Sequence, residues 1–304
     1  MKNLAVLITI LGICTLGLYA QDRFPVRQLT NDPAQQGFPT WSPDGKYIIY
    51  QHSDKHDTLG KNGLWRISQQ GTGATQIFNE LAEHPKWSPD GSLVVFDADT
   101  GNSIKMIPAE GGPPIVFLPD SIHIEHGGLP CWSPDGTQIA FLERTGLSVC
   151  VYDAKKGVIN SIFRQEGMLP MLGGWTPGGT CVLVALMDRQ TRKSTLWKVT
   201  SDGKENLQIT GHHENFYRHL ALSPDGSLLV YGVYEDRHLG LYVMPAEGGP
   251  SLPLIVTEGG DNEGASWSPD GKKLAFTSTR SGSFDVWIMD VDVKQIKKDL
   301  QADK

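Results

Sequence analysis

Apolar positions along this 304-residue chain come in short bursts separated by glycine, proline and small polar residues, with no sustained helical period. One set of bursts reads Tyr47-Ile48-Ile49-Tyr50, Leu93-Val94-Val95-Phe96, Gln138-Ile139-Ala140-Phe141, Leu228-Leu229-Val230-Tyr231 and Lys273-Leu274-Ala275-Phe276. These runs are β-branched and aromatic, as half-buried or fully buried strands are. After a loop of variable length comes a second set: Leu64 to Ile67, Ile104 to Ile107, Val149 to Tyr152, Leu196 to Val199, Leu241 to Met244 and Val286 to Met289. A glycine-rich turn follows, twice as Pro-Ala-Glu-Gly-Gly at 108–112 and 245–249, and leads to an outer strand such as Gln208-Ile209-Thr210 or Leu254-Ile255-Val256. Each unit therefore predicts four antiparallel strands, A to D, joined by tight connections.

The units share one phrase. It stands as Trp-Ser-Pro-Asp-Gly at 41–45, 87–91, 132–136 and 267–271, as Trp175-Thr176-Pro177-Gly178-Gly179, and as Leu222 to Gly226. Successive copies begin 43 to 47 residues apart, which is the period of a four-stranded propeller blade and not of a helical repeat. Within the phrase, proline presets φ at the second turn position, aspartate bonds nearby amides, and glycine accepts the positive φ that closes the A–B hairpin. Gly178 replaces the aspartate in the fourth unit, so the acid reads as turn chemistry and not as a calcium ligand. All eight tryptophans occupy repeat positions, five opening the phrase and three (Trp65, Trp197, Trp287) in strand C, which reads as packing between blades.

Six repeats predict an all-β, six-bladed propeller of four-stranded antiparallel blades. The sixth unit loses its outer strand after Asp290, whereas Val26-Arg27-Gln28-Leu29-Thr30 has outer-strand character and precedes the first full unit. Residues 25–30 are therefore expected to pair onto strand C of blade 6, so that neither chain end leaves an open edge.

The first residues change the domain picture. Met1-Lys2-Asn3, an apolar stretch from Leu4 to Leu18 and then Tyr19-Ala20-Gln21 read as a secretory signal peptide over 1–20, cut after Ala20. Ile13 before Cys14 disfavours lipid attachment, so an exported, periplasmic or extracellular protein without a stable membrane span is expected. The propeller then occupies 21–292, and 293–304 is a charged carboxy-terminal tail, expected to be solvated or to dock. A net charge of −7 without a basic stripe argues against nucleic acid. Cys131, Cys150 and Cys181 read either as small buried hydrophobes or, for Cys150 with Cys181, as a disulfide between neighbouring blades.

In a propeller the D–A and B–C loops emerge on one face and the stereotyped turns on the other, and function usually lives on the variable face. All nine histidines map to that face: His52, His56 and His238 to B–C loops, and His84, His123, His126, His212, His213 and His219 to D–A loops. His84 and His219 stand three residues before the phrase in blades 2 and 5, which are opposite in a ring of six. They are expected to face one another across the mouth of the central channel. The candidate ligand- or partner-binding residues are accordingly His84, His126, His213, His219, Glu263 and Arg280, with Glu83, Glu125, Glu214 and Asp261 nearby. Such a set suits strand capping, a divalent metal ion, or a docked peptide. No catalytic residue is assigned: Gly-x-Ser-x-Gly and His-Glu-x-x-His are absent, and Gly71-x-Gly73 lies in a C–D turn with Gln76 where a third glycine belongs.

The segment Trp267 to Met289, Trp-Ser-Pro-Asp-Gly-Lys-x-Leu-Ala-Phe-x-Ser-x-Arg-x-Gly-x-x-Asp-Val-Trp-x-Met, resembles the repeat of TolB-type six-bladed propellers, over about residues 25–292. The same repeat builds the propellers of prolyl-oligopeptidase and tricorn-like proteases. Neither the smaller domain that precedes the TolB propeller nor a hydrolase domain is seen in this chain. Because the scaffold uses nearly the whole chain and no catalytic motif is present, an exported, monomeric, non-catalytic propeller that binds a protein or peptide partner at the D–A/B–C face is expected, without a firmly implied cofactor. The alternative is a metal-dependent carbohydrate-active enzyme similar to oligogalacturonate lyase, a propeller in which channel histidines hold a divalent metal. That family is expected to have seven repeats, against six here, so its residues are not carried over.

Overall fold

The computed structural model describes residues 22–98, 103–115, 127–143, 145, 147–211, 217–235 and 237–302. The first strand is β1 (Val26–Gln28). Blade 1 follows with β2 (Gln35–Trp41), β3 (Tyr47–Ser53), β4 (Gly63–Ser68) and β5 (Thr75–Phe78), and blade 2 with β6 (Ala82–Trp87), β7 (Leu93–Ala98) and β8 (Ser103–Pro108). Blade 3 holds β9 (Gly127–Trp132), β10 (Gln138–Glu143), β11 (Ser148–Asp153) and β12 (Val158–Phe163). Blade 4 holds β13 (Met168–Trp175), β14 (Cys181–Asp188), β15 (Ser194–Thr200) and β16 (Asn206–Gln208). Blade 5 holds β17 (Arg218–Leu222), β18 (Leu228–Glu235), β19 (His238–Pro245) and β20 (Leu252–Ile255). Blade 6 has β21 (Asn262–Trp267), β22 (Lys273–Ser278) and β23 (Asp285–Asp290), before a helix α1 (Val293–Ala302).

Among the described residues five sheets have four antiparallel strands, and blade 2 has three plus a single bridge between Met106 and Ile115 at the outer position. The fourth strand of blade 6 is β1, which pairs antiparallel with β23 in the register Val26 to Met289 and Gln28 to Trp287. The expected closure of the ring by the start of the chain is what the structure shows.

Six apolar clusters of buried side chains hold the blades, one at each junction. The cluster joining the last blade to the first contains Leu29, Trp41, Ile48, Ala275, Val286 and Ile288, all buried. Hydrogen bonds add direction to this packing: Trp87 Nε1–H donates to the Thr40 carbonyl (3.2 Å), Trp175 to Cys131 (3.1 Å) and Trp267 to Ala221 (3.1 Å). In each case the phrase tryptophan reaches back to the inner strand of the preceding blade. Burial of these rings fills the junction, and the hydrogen bond satisfies the indole N–H that burial removes from water.

The repeated turns follow their expected chemistry. Ser42 Oγ–H donates to Asp44 Oδ1 (2.7 Å), which also accepts from the Lys46 amide (3.0 Å), and the Tyr47 amide donates to Ser42 Oγ (3.0 Å). With the Ser42 hydroxyl and the Lys46 amide as donors, the Asp44 carboxyl is pulled down to about 2. The carboxylate is occupied by its own turn. The turns also touch: a Cβ at Gly226 would come within 3.0 Å of the Pro177 ring of the preceding blade, and one at Gly91 would lie 3.7 Å from Pro43.

The chain ends are clasped together. Arg23 pairs with Asp299 of α1, and its backbone N–H donates to the Leu254 carbonyl (3.1 Å). The tail expected to be solvated is amphipathic. Asp292 caps it through the Gln295 amide (3.0 Å), and Ile296 and Leu300, one turn apart, are buried in the blade 5–6 cluster. The charged residues of α1 form the outer face of that helix. Cys131, Cys150 and Cys181 are free thiols, the first two buried as small hydrophobes.

Deleting residues 22–32 removes β1, the Arg23 clasp and the buried Leu29, and is expected to lower stability by at least about 3 kcal/mol in denaturant titration. Ile296→Ala should cost about 2–4 kcal/mol by the same measurement, whereas a merely solvated tail would show no change.

Candidate functional site

The inner strand of every blade breaks its pairing register with strand B, between Gly37 and Thr40, Glu83 and Lys86, Leu172 and Gly174, Arg218 and Ala221, and Glu263 and Ser266, with the matching break in blade 3 between Ala140 and Leu142 of strand B. At the break in five blades, three residues before the phrase, the backbone is left-handed: Phe38 (φ 49°), His84 (49°), Leu129 (52°), His219 (48°) and Gly264 (63°). Blade 4 places its left-handed residue, Gly174, two positions later. Each break is a bulge that bends the inner strand. A left-handed conformation at a bulky residue costs roughly 1–2 kcal/mol, so four such residues in one ring must be held by their neighbours. Two of the holds are explicit. The Phe38 amide donates to Thr277 Oγ1 (3.1 Å) and the Leu129 amide to Asp97 Oδ1 (2.7 Å), each reaching strand B of the preceding blade.

The result is a partition across the channel. His84 and His219 stack with ring centroids 6.5 Å apart, and Phe38 packs on both, 4.2 Å from His84 and 5.6 Å from His219. Gly264 makes room for Phe38, because a Cβ there would come within 3.3 Å of the phenyl ring. Above the partition, on the variable-loop face, lies a mouth cavity of about 520 Å³, and below it a chamber of about 310 Å³. Phe38, His84, Leu129, Met171 and His219 line both.

Each imidazole has a carboxylate partner. His84 Nδ1 lies 3.0 Å from Oδ2 of Asp97, whose side chain is fully buried, so that Asp97 orients the ring and anchors blade 3 together. His219 Nε2 lies 3.2 Å from Glu263 Oε2 in a contact that is close but not aligned as a hydrogen bond. Burial drives the His219 pKa down against the pull of Glu263, and His84 and Arg218 push the same way. Burial raises the Glu263 carboxyl, but His219, Arg218 and His84 outweigh it and leave the group below its ordinary value. Arg218 donates to the Tyr234 hydroxyl (2.8 Å), with its guanidinium over the ring. Glu83, Glu143 and several apolar side chains, Leu142, Leu147, Leu169 and Pro170 among them, complete the mouth.

The structure thus brings His84, His219 and Glu263 together. Arg280 is elsewhere: it pairs with Asp22, donates to Thr257 Oγ1 (2.9 Å) and Asn262 Oδ1 (3.2 Å), and lies over Trp287. This is a brace between the start of the chain and blades 5 and 6, outside the lining of the mouth. His126 and His213 lie outside the described residues. Among the described residues no group of three or more His, Cys, Asp or Glu is gathered to hold a metal ion. With Asp97 on one nitrogen of His84 and Glu263 against His219, the donors are paired with one another and do not converge on a common point. Sequence reasoning missed Phe38, Asp97 and Arg218. A signal existed for the first, since Phe38-Pro39, His84-Pro85 and Leu129-Pro130 share one repeat offset.

No protein-family model matches the chain. A curated relative, an uncharacterized protein of Agrobacterium fabrum, is 29% identical over 126 residues, so the match spans about two fifths (41%) of either protein. Among solved structures, a protein assigned as TolB in Agrobacterium tumefaciens superposes with a TM-score of 0.61 at 20% identity, covering 88% of this chain and 97% of that one. The fold is the TolB-like six-bladed propeller. Other propellers superpose on this chain equally well. An oligogalacturonate lyase from Vibrio parahaemolyticus gives 0.60 at 15% identity (90% and 96% covered), and a gluconolactonase from Xanthomonas campestris 0.65 at 12% (88% and 90%). Among the described residues of the TolB-like propeller, no helix is long and apolar enough to cross a membrane.

Two outcomes test this geometry. Asp97→Ala orphans the Leu129 amide and frees the His84 ring, and should cost about 2–4 kcal/mol in denaturant titration. Because the folded pKa of His219 is lowered, the unfolded chain binds the extra proton first on acidification. Stability is then full above about pH 6.5, the ordinary histidine value, and declines as pH falls toward the lowered folded value. Glu263 adds a loss of the same sign at lower pH. The slope of melting temperature between about pH 7 and 5 should flatten in His219→Gln.

Proposed function

We propose that this protein is an exported binding propeller whose mouth cavity takes an extended peptide segment of a partner protein. The observation that carries the reading is the mouth itself. Its apolar wall of Leu142, Leu147, Leu169, Pro170 and Met171 faces three carboxylates, Glu83, Glu143 and Glu263, against one guanidinium, Arg218. Apolar surface with a few oriented polar groups suits a peptide, and the excess of acid selects a basic side chain or a free amino terminus. The two TolB-named structural neighbours support the choice of a protein partner, and the apolar stretch after Lys2 supports export. The partition gives the peptide a floor: Phe38 and the two imidazoles end the cavity where an inserted side chain would stop.

Fluorescence anisotropy with a library of short labelled peptides tests this. Binders are expected to be enriched in lysine and arginine, and His84→Gln with His219→Gln should weaken them about tenfold or more while leaving the melting curve in place, since glutamine keeps a donor for Asp97. A library without enrichment, or equal affinity in the double variant, removes the proposal.

A second reading is favoured by one contact, the His84–Asp97 pair, because an imidazole held by a buried carboxylate is the arrangement of a general base. The corresponding activity is eliminative cleavage of an acidic oligosaccharide, with Arg218 to receive a uronate carboxylate. Absorbance of the unsaturated product on incubation with oligogalacturonate, lost in His84→Ala, would support it, and no absorbance change would remove it.

A further inference from the structure

Six inner-strand positions, each one residue before the repeated phrase, line the lower chamber: Thr40, Lys86, Cys131, Gly174, Ala221 and Ser266. Five are small, as crowding near a propeller axis requires. The sixth is a lysine. Its side chain is half-buried and lines the chamber, and desolvation lowers its pKa with only partial relief from Cys131 and Asp97. Neither supplies a counter-ion in contact. The Cys131 thiol is itself pushed up to about 12 by burial and is neutral. Asp97 is turned toward His84 and the Leu129 amide, and no carboxylate is among the residues lining the chamber. What the lining does offer beside the amine is the hydroxyls of Thr40 and Ser266 and the two imidazoles of the partition. At Gly174 a Cβ would meet nothing within 4 Å, so the volume in front of these groups is open.

An ammonium that is poorly solvated and faces no carboxylate favours an entering anion, which stabilises its charged form and gains charge-assisted hydrogen bonds. We propose that the lower chamber is a binding site for a small oxyanion, a carboxylate or phosphate group, seated on Lys86. The site is separate from the mouth, being divided from it by the Phe38–His84–His219 partition, and it continues to Pro224 on the face of the repeated turns. It does not depend on the peptide reading above. The chamber of about 310 Å³ limits the ligand to a small molecule or the acidic end of a larger one.

Trp175 and Trp267 line the chamber and report on it. Tryptophan fluorescence of the whole protein is titrated with inorganic phosphate and with acetate at ionic strength held constant by chloride. A saturable response to either anion is expected, and which one responds names the oxyanion. Lys86→Met keeps the volume and removes the charge, and should weaken binding about 10- to 100-fold while melting at or above the wild-type temperature, since a half-buried charge without a carboxylate partner is removed. In parallel, limited acetylation of the wild-type protein is read by peptide mass spectrometry. The labelling of Lys86 should slow when the binding anion is present, and this arm decides the matter if Lys86→Met fails to fold. An unchanged titration in Lys86→Met, no saturable response to either anion, or Lys86 labelling indifferent to anion would overturn the proposal.

Discussion

A propeller stands or falls on the junction between its last and first blades, because every other junction is made by consecutive chain and only this one joins distant segments. Here it is made twice over. The strand β1 hydrogen-bonds to β23, and the apolar cluster of Leu29, Trp41, Ile48, Val286 and Ile288 fills the space between blades 6 and 1. Arg23 with Asp299 and Arg280 with Asp22 then tie the segment just before β1 to the helix and to blades 5 and 6. Without that junction the remaining five would have an open end, and an unpaired edge strand with it.

Closure also sets the geometry of the axis. Six inner strands brought together around one line leave little room, and each strand relieves the crowding by a bulge. The relief has a chemical consequence, because the left-handed residues at five of the bulges fall at one level. Whatever side chains occupy that level must meet. Glycine in blade 6 yields to Phe38, and histidines in blades 2 and 5 stack across the remaining gap. The strain of holding such residues in that conformation is offset by hydrogen bonds from the preceding blade, through Thr277 and Asp97. A structural device for closing a ring thus doubles as a floor with two imidazoles in it.

The electrostatics on the two sides of this floor differ. Above it, carboxylates outnumber cations and each imidazole is matched to an acid. Below it, a lysine stands without an acid among the lining residues. The channel is therefore two compartments with opposite preferences, and the same pair of histidines borders both.

The sequence by itself determined the number of blades, the order of strands in each, the turn chemistry, the strand that closes the ring and the pairing of His84 with His219 across the axis. It could do so because these features repeat: a period near 45 residues and a side-chain alternation of two are local regularities that survive in a one-dimensional record. Lys86 was legible too, as the single large residue at a small position, once the repeats are aligned. The tertiary structure decided what did not repeat. The contacts of Asp97 with His84 and Leu129, of Arg280 with Asp22, and of Ile296 with the blade 5–6 core join residues from 13 to 258 positions apart, and no local pattern encodes them. Only folding shows that Arg280 braces the chain end while Phe38 guards the channel, because which face a loop side chain turns to depends on neighbours supplied by other blades.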